Sequence, residues 1–251
     1  YFKINVVMLS KMRGELEVGF YMAAATLVES LFFIPEAFNT SIFPAFSRIY
    51  GISFDALKRT YEKTIKYIIL VTAAMCVGTI LLGKEIILLI YGEKFISSVS
   101  ALSILVFFWA FYFFSYTMSM LLFSIKKERV QMEVMGFACL LNIFLNFILI
   151  PTYGFIGSAY AAVITEGCAA SLMGLALWRN KLPYKPGVGI LRLGVVLSGM
   201  VVTVILLEHM GVALSILGGG ISYFVLLYVA GVFDEEDLNA MKSLLRKVSA
   251  S

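Results

Sequence analysis

The chain is 251 residues long, 61% apolar and only 14% charged, with a mean hydropathy of +0.93 and a formal charge of +4. Soluble domains carry about 25% charged residues, so a water-solvated core of this size is excluded, and disorder is excluded by the same figures because disordered chains are polar and charge-rich. The remaining solvent is a bilayer, in which a helical span takes about 20 residues; the length allows about eight spans and no soluble catalytic domain.

In chain order, residues 1–10 read as the end of a truncated first span, since Tyr1 already lies in an apolar run with no initiator Met and no signal-peptide pattern. Residues 18–48 form a long second span interrupted by Pro35 and Pro44. The third, 67–83, is bracketed by Lys66 and Lys84, and Glu85 to Gly92 reads as a short interfacial helix. The fourth to eighth occupy 97–125, 130–150, 155–178, 193–207 and 210–233. All read as helix: lipid admits only helices and closed barrels, and the alternating pattern of barrel strands is absent. The expected fold is therefore all-α, a polytopic membrane bundle of about eight transmembrane helices with the first incomplete. The tail opens on DEED and places Leu238, Met241, Leu244, Leu245 and Val248 on one helical face. Asp234 as N-cap with Asp237 three residues on favours a capped amphipathic helix on the membrane surface over an acidic metal cluster.

Loop charge sets the orientation. One set of connections carries Arg48, Lys58, Arg59, Lys63 and Lys66, then Lys126, Lys127 and Arg129, then Arg179, Lys181, Lys185 and Arg192, and finally Lys242, Arg246 and Lys247 in the tail. The opposite set carries Lys11, Arg13, Lys84 and Lys94. By the positive-inside rule the basic-rich side, with the C-terminus, is cytoplasmic.

Ionisable residues inside spans are expensive and default to functional candidates. Lys3 and Glu29 lie about 12 and about 18 Å in from the loop at 11–17, at 1.5 Å per residue, so the two fall at similar depth. Glu166 is also near mid-bilayer. Glu133, beside the basic KKER turn, reads as interfacial. Glu29 and Glu36 are two helical turns apart and share a face that Asn39 and Thr40 continue, and Pro35 between them bends the helix. That stripe lines a polar cavity or, alternatively, glues helices together. Asn142 and Asn146, at i and i+4, read as inter-helix hydrogen-bonding groups before substrate ligands. Gly154, Gly157, Ser158, Ala159, Ala161 and Ala162 give the sixth span a small-residue face, and Gly218–Gly220 does similarly in the eighth or kinks it. The only histidine, His209, falls in a turn. Cys76, Cys139 and Cys168 lie in apolar stretches and indicate no disulfide or zinc framework. No HExxH, GxSxG, P-loop or GxGxxG occurs, so the chain does not read as an enzyme.

Three segments carry a resemblance: YFKINVVMLSKMRGELEVGFYMAAATLVE, FFIPEAFNTSIFPAFSRIYG and LNIFLNFILIPTYGFIGSAYAAVITE. Together they resemble the C-terminal half of polysaccharide-biosynthesis (oligosaccharide) flippases, within the multidrug/oligosaccharidyl-lipid/polysaccharide exporter superfamily. The resemblance implies a fourteen-helix protein of which this chain is helices seven to fourteen. Residues 1–180 would be the C-terminal six-helix transport lobe, 181–233 a terminal transmembrane hairpin and 234–251 the cytoplasmic tail, the N-terminal lobe being a missing partner. It further implies export of lipid-diphosphate-linked oligosaccharide across the cell membrane by alternating access. Lys3 would meet the diphosphate, Glu29 or Glu36 a coupling H+ or Na+, and Asn5, Asn39 and Glu166 complete the candidate site. No cofactor, metal or nucleic acid is implied. The family's basic-x-Asp pattern on this helix is Lys3-x-Asn5 here, so no cation role is carried over from an acid at that position. Other readings are a cation-coupled multidrug antiporter of the same superfamily, a membrane-embedded glycosyl- or acyltransferase, and a structural scaffold.

Overall fold

Apolar runs become helices wherever the chain can close its own backbone hydrogen bonds, and they stop at glycine, proline or a polar cap. In the computed structural model, which describes residues 2–184 and 189–233, the elements are α1 (Phe2–Arg13), α2 (Glu15–Glu29), α3 (Phe33–Tyr50), α4 (Phe54–Tyr91), α5 (Ser98–Ser124), α6 (Glu128–Arg179), α7 (Ile190–Leu207) and α8 (Val212–Val229). Short 3-10 turns at Glu93–Phe95 and Glu208–Met210 precede α5 and α8. No strand occurs among the described residues. Six helical stretches are long and apolar enough to cross a membrane, and the chain is the all-α polytopic bundle its composition requires. The tail 234–251, expected as an amphipathic helix, lies outside the described residues.

One of the six stretches crosses twice. A straight α6 of 52 residues would be about 78 Å long, far beyond the ~30 Å of hydrocarbon. Instead Gly154 takes φ 58° and ψ −136°, a backbone state closed to L side chains, and the helix doubles back into two antiparallel arms. Asn142 donates to Thr165 (3.3 Å), a residue that would stand about 35 Å away along a straight helix. The arms approach so closely that a Cβ on Gly157 would collide with the Leu149 carbonyl, which is what the small residues of this stretch permit. These arms are the expected fifth and sixth spans.

Three expectations from the sequence are refined by the structure. No separate interfacial helix spans Glu85–Gly92: α4 runs unbroken from its N-cap, where the Ser53 hydroxyl accepts from Ala56 N–H (3.3 Å), to Gly92 at φ 79°. Nothing between Lys84 and Tyr91 breaks a helix, and a charged pair at its rim does not interrupt the ladder. The second span divides earlier than its prolines indicate, at Ser30–Phe32, for reasons given below. Gly218 and Gly219 do not kink α8; they pack against Leu207 and Val204 side chains.

The chain divides into two compact units, Tyr1–Gly187 and Val188–Ser251. In the first, α5 is the central element: it packs on α2, α3, α4 and α6, and Trp109, Phe113, Leu105 and Leu121 are fully or nearly fully buried. α1 packs on α2 and α6. The second unit is the α7–α8 hairpin, with Tyr223, Leu227, Val196 and Val204 in its seam. Cys76, Cys139 and Cys168 are free thiols.

Candidate functional site

The site begins with one missing hydrogen. Pro35 has no backbone N–H, so the Leu31 carbonyl, its i−4 partner, loses the bond that a continuous helix supplies. Two donors replace it: Ile34 N–H (3.1 Å), in an i→i+3 turn, and the indole Nε1–H of the fully buried Trp109 on α5 (3.1 Å). Leu31 and Phe32 N–H likewise bond three residues back, to Val28 and Glu29 carbonyls. The chain therefore tightens through one 3-10 turn between α2 and α3. Glu29 ends the first helix and Glu36 sits in the first turn of the second.

Both carboxylates face a cavity of about 590 Å³. Lys3 on α1 lines it as well, with Ser30, Phe32 and Phe33 from the turn and Phe108 and Tyr112 from α5. Phe32 stacks on Tyr112 at 4.6 Å between centroids, and Tyr112 stacks in turn on Tyr116 (5.7 Å). The lining combines aromatic rings with two acids and a lysine. Such a surface offers hydrogen-bond acceptors, one cation and apolar ring faces to a polar headgroup or an ion.

The other candidates stand elsewhere. Asn5 is buried and belongs to a polar chain inside the bundle: its amide donates to Tyr21 Oη (3.2 Å), and its Oδ1 accepts from Asn146 (2.7 Å). Asn146 also donates to Asn142 Oδ1 (3.0 Å) and accepts from Ser158 (3.0 Å). This network ties α1, α2 and both arms of α6 together, and Asn142 and Asn146 serve as inter-helix glue. Asn39 is buried on α3, donates to the Pro35 carbonyl (2.8 Å), and its Oδ1 has no partner. Glu166 is 1% exposed, between α5 and α6, accepting from the Ser115 hydroxyl; the cavity does not include it. Glu133 pairs at the surface with Arg129 (3.0 Å), and His209 is exposed in its turn. Among the described residues no group of three His, Cys, Asp or Glu is placed to hold a metal ion.

Sequence reasoning missed Trp109, Tyr112 and Phe32. In a span rich in Phe and Tyr, an aromatic that faces a cavity looks like one that faces lipid. Pro35 did signal a carbonyl in need of a donor, but nothing in the sequence says which helix supplies it.

The family described as "Polysaccharide biosynthesis protein" matches residues 1–100, which include Lys3, Glu29, Glu36 and Asn39. Among solved structures the chain is similar to one described as "Lipid II flippase MurJ, inward closed conformation", with a TM-score of 0.67 at 18% sequence identity, over 89% of this chain and 51% of that one. The chain shares the helical fold of that solved structure. No curated protein matches it. The chain spans about half the length of the solved chain it matches; of the residues lining the cavity, those of α1 to α3 fall within the family match, and Phe108 and Tyr112 fall outside it.

Proposed function

We propose that this chain forms half of a multi-pass transporter that flips lipid-diphosphate-linked oligosaccharides across the cell membrane for surface polysaccharide assembly. The observation that carries the reading is the cavity: Lys3, Glu29 and Glu36 line one open space together with Phe32, Phe33, Phe108 and Tyr112 in a bundle of membrane-spanning length and hydropathy. Charged groups at that depth are costly unless they serve a polar passage. The lipid tail of such a substrate stays in the bilayer, and only its headgroup needs the passage. Lys3 suits a phosphate oxygen, the carboxylates suit sugar hydroxyls, and Phe33 and Tyr112 suit the apolar faces of sugar rings. The likeness to a solved lipid II flippase supports the reading, as does the match to the polysaccharide-biosynthesis family.

In this reading an N-terminal half supplies the facing wall of the cavity, and the two halves rock to alternate access. The chemistry is translocation, with no bond made or broken. The C-terminus is cytoplasmic, since the connections of that side and the tail carry most of the lysines and arginines. A second reading has a specific support: two carboxylates in one cavity also suit proton or Na+ exchange against a cationic drug.

The test is headgroup translocation of a fluorescent lipid-linked oligosaccharide in vesicles containing the full-length protein. Translocation above the rate in protein-free vesicles is the expected result. Transport of organic cations without headgroup translocation would select the antiporter reading instead.

A further inference from the structure

The corner where α1 meets α2 carries two charged side chains, one on each helix, that the cavity does not use, and both reach the break in α6. Arg13, at the end of α1, donates from Nε to the Ile150 carbonyl (3.2 Å) and from its terminal nitrogen to the Pro151 carbonyl. Glu17, in the first turn of α2, accepts the Phe155 N–H at Oε2 (2.8 Å). The first arm of α6 ends in carbonyls with no helical partner and the second begins with N–H groups in the same state. A cation therefore caps the first and an anion the second, each with the sign that the helix dipole favours. Gly154 belongs to the same device, because a Cβ there would occupy the place of the Glu17 carboxylate.

Deeper in the bundle, the Asn5–Asn146 bond (2.7 Å) joins the same two elements again. α1 is thus fixed to the α6 hairpin at two levels, and α1 carries Lys3 into the cavity. We propose that Arg13 and Glu17 are positioning residues: a two-ended latch that ties the α1–α2 corner to the α6 hairpin as one rigid unit and so sets where Lys3 stands.

The test uses the full-length protein in nanodiscs. Amide exchange is followed at residues 155–158 in Arg13→Ala, Glu17→Ala and the double variant. Each single change is expected to speed exchange roughly tenfold or more, the scale of one lost charge-assisted hydrogen bond, with the double variant little beyond either single one. In parallel, Lys3→Cys is labelled with a polar maleimide in a background where Cys76, Cys139 and Cys168 are replaced by alanine. Labelling is expected to change several-fold when the latch is cut, and at a control Ser41→Cys on α3 to stay constant. If the alanine variants fail to fold, Arg13→Lys and Glu17→Gln, which keep one donor and one acceptor, carry the same comparison with smaller effects. Faster exchange at 155–158 with unchanged labelling at position 3 would reduce the pair to local caps and overturn the proposal, as would unchanged exchange. None of these readouts measures translocation, so their failure leaves the flippase reading where it stood.

Discussion

Single atoms decide the shape of this bundle at three places. The absent N–H of Pro35 leaves the Leu31 carbonyl to Trp109 and Ile34. Removing the indole donor by Trp109→Phe keeps most of the apolar volume and is expected to cost about 1 kcal/mol, read as a lower thermal midpoint in detergent. The absent Cβ of Gly154 admits both a positive φ and the Glu17 carboxylate; Gly154→Ala is expected to cost about 1–3 kcal/mol from backbone strain alone. At Gly157 the obstacle is the Leu149 backbone carbonyl, which cannot swing away as a side chain can. Gly157→Ala is therefore expected to destabilise by separating the two arms, and its signature is weaker protection of amides along both of them. Pro35 and these glycines are visible in the sequence, and so is the fact that something unusual happens at each. Trp109 lies 78 residues from the Leu31 carbonyl that it serves, and Glu17 lies 138 residues from the Phe155 N–H that it caps; no local pattern names a partner at that range.

Among the elements, hydropathy located the crossings because each span must hide its own backbone from lipid. It was least informative where two helices join without a polar loop. The α2–α3 junction falls at Ser30–Phe32 and not at the prolines, since a proline spoils the turn before it. The α6 hairpin turns within a few residues at Gly154, and α4 passes through Lys84 and Glu85 as helix to Tyr91. The polar chain Asn5–Asn146–Asn142 was half legible: i,i+4 spacing marked the two asparagines of α6 as glue, while the third member came from a helix placed against them only in three dimensions. Asn146 is the hub of this chain, with bonds to Asn5, Asn142 and Ser158. At about 0.6 kcal/mol for each of the two bonds that cross to another helix or arm, those to Asn5 and Ser158, Asn146→Leu is expected to cost about 1 kcal/mol in a reversible unfolding experiment in detergent or bicelles. Retained stability would mean that packing, and not this network, holds α1 to α6.

For the whole molecule, composition settled the solvent and charge asymmetry gave an orientation, but the cavity is a property of the assembled bundle. Lys3, Glu29 and Glu36 were singled out because charge is scarce inside spans, and all three line one space. Glu166 was singled out on the same ground and is buried against Ser115 instead. Cost alone does not separate a residue that serves a passage from one that joins two helices; only the packing around it does. The chain spans about half of the solved chain it resembles. The most direct test measures headgroup translocation of a labelled lipid-linked oligosaccharide by the full-length protein carrying Lys3→Ala or Glu29→Gln, with folding checked by thermal midpoint. Folded variants whose translocation rate falls roughly tenfold or more, as loss of a charge-assisted contact entails, are the expected result. Folded variants that flip at the unmodified rate would contradict the assignment of this cavity as the headgroup's path.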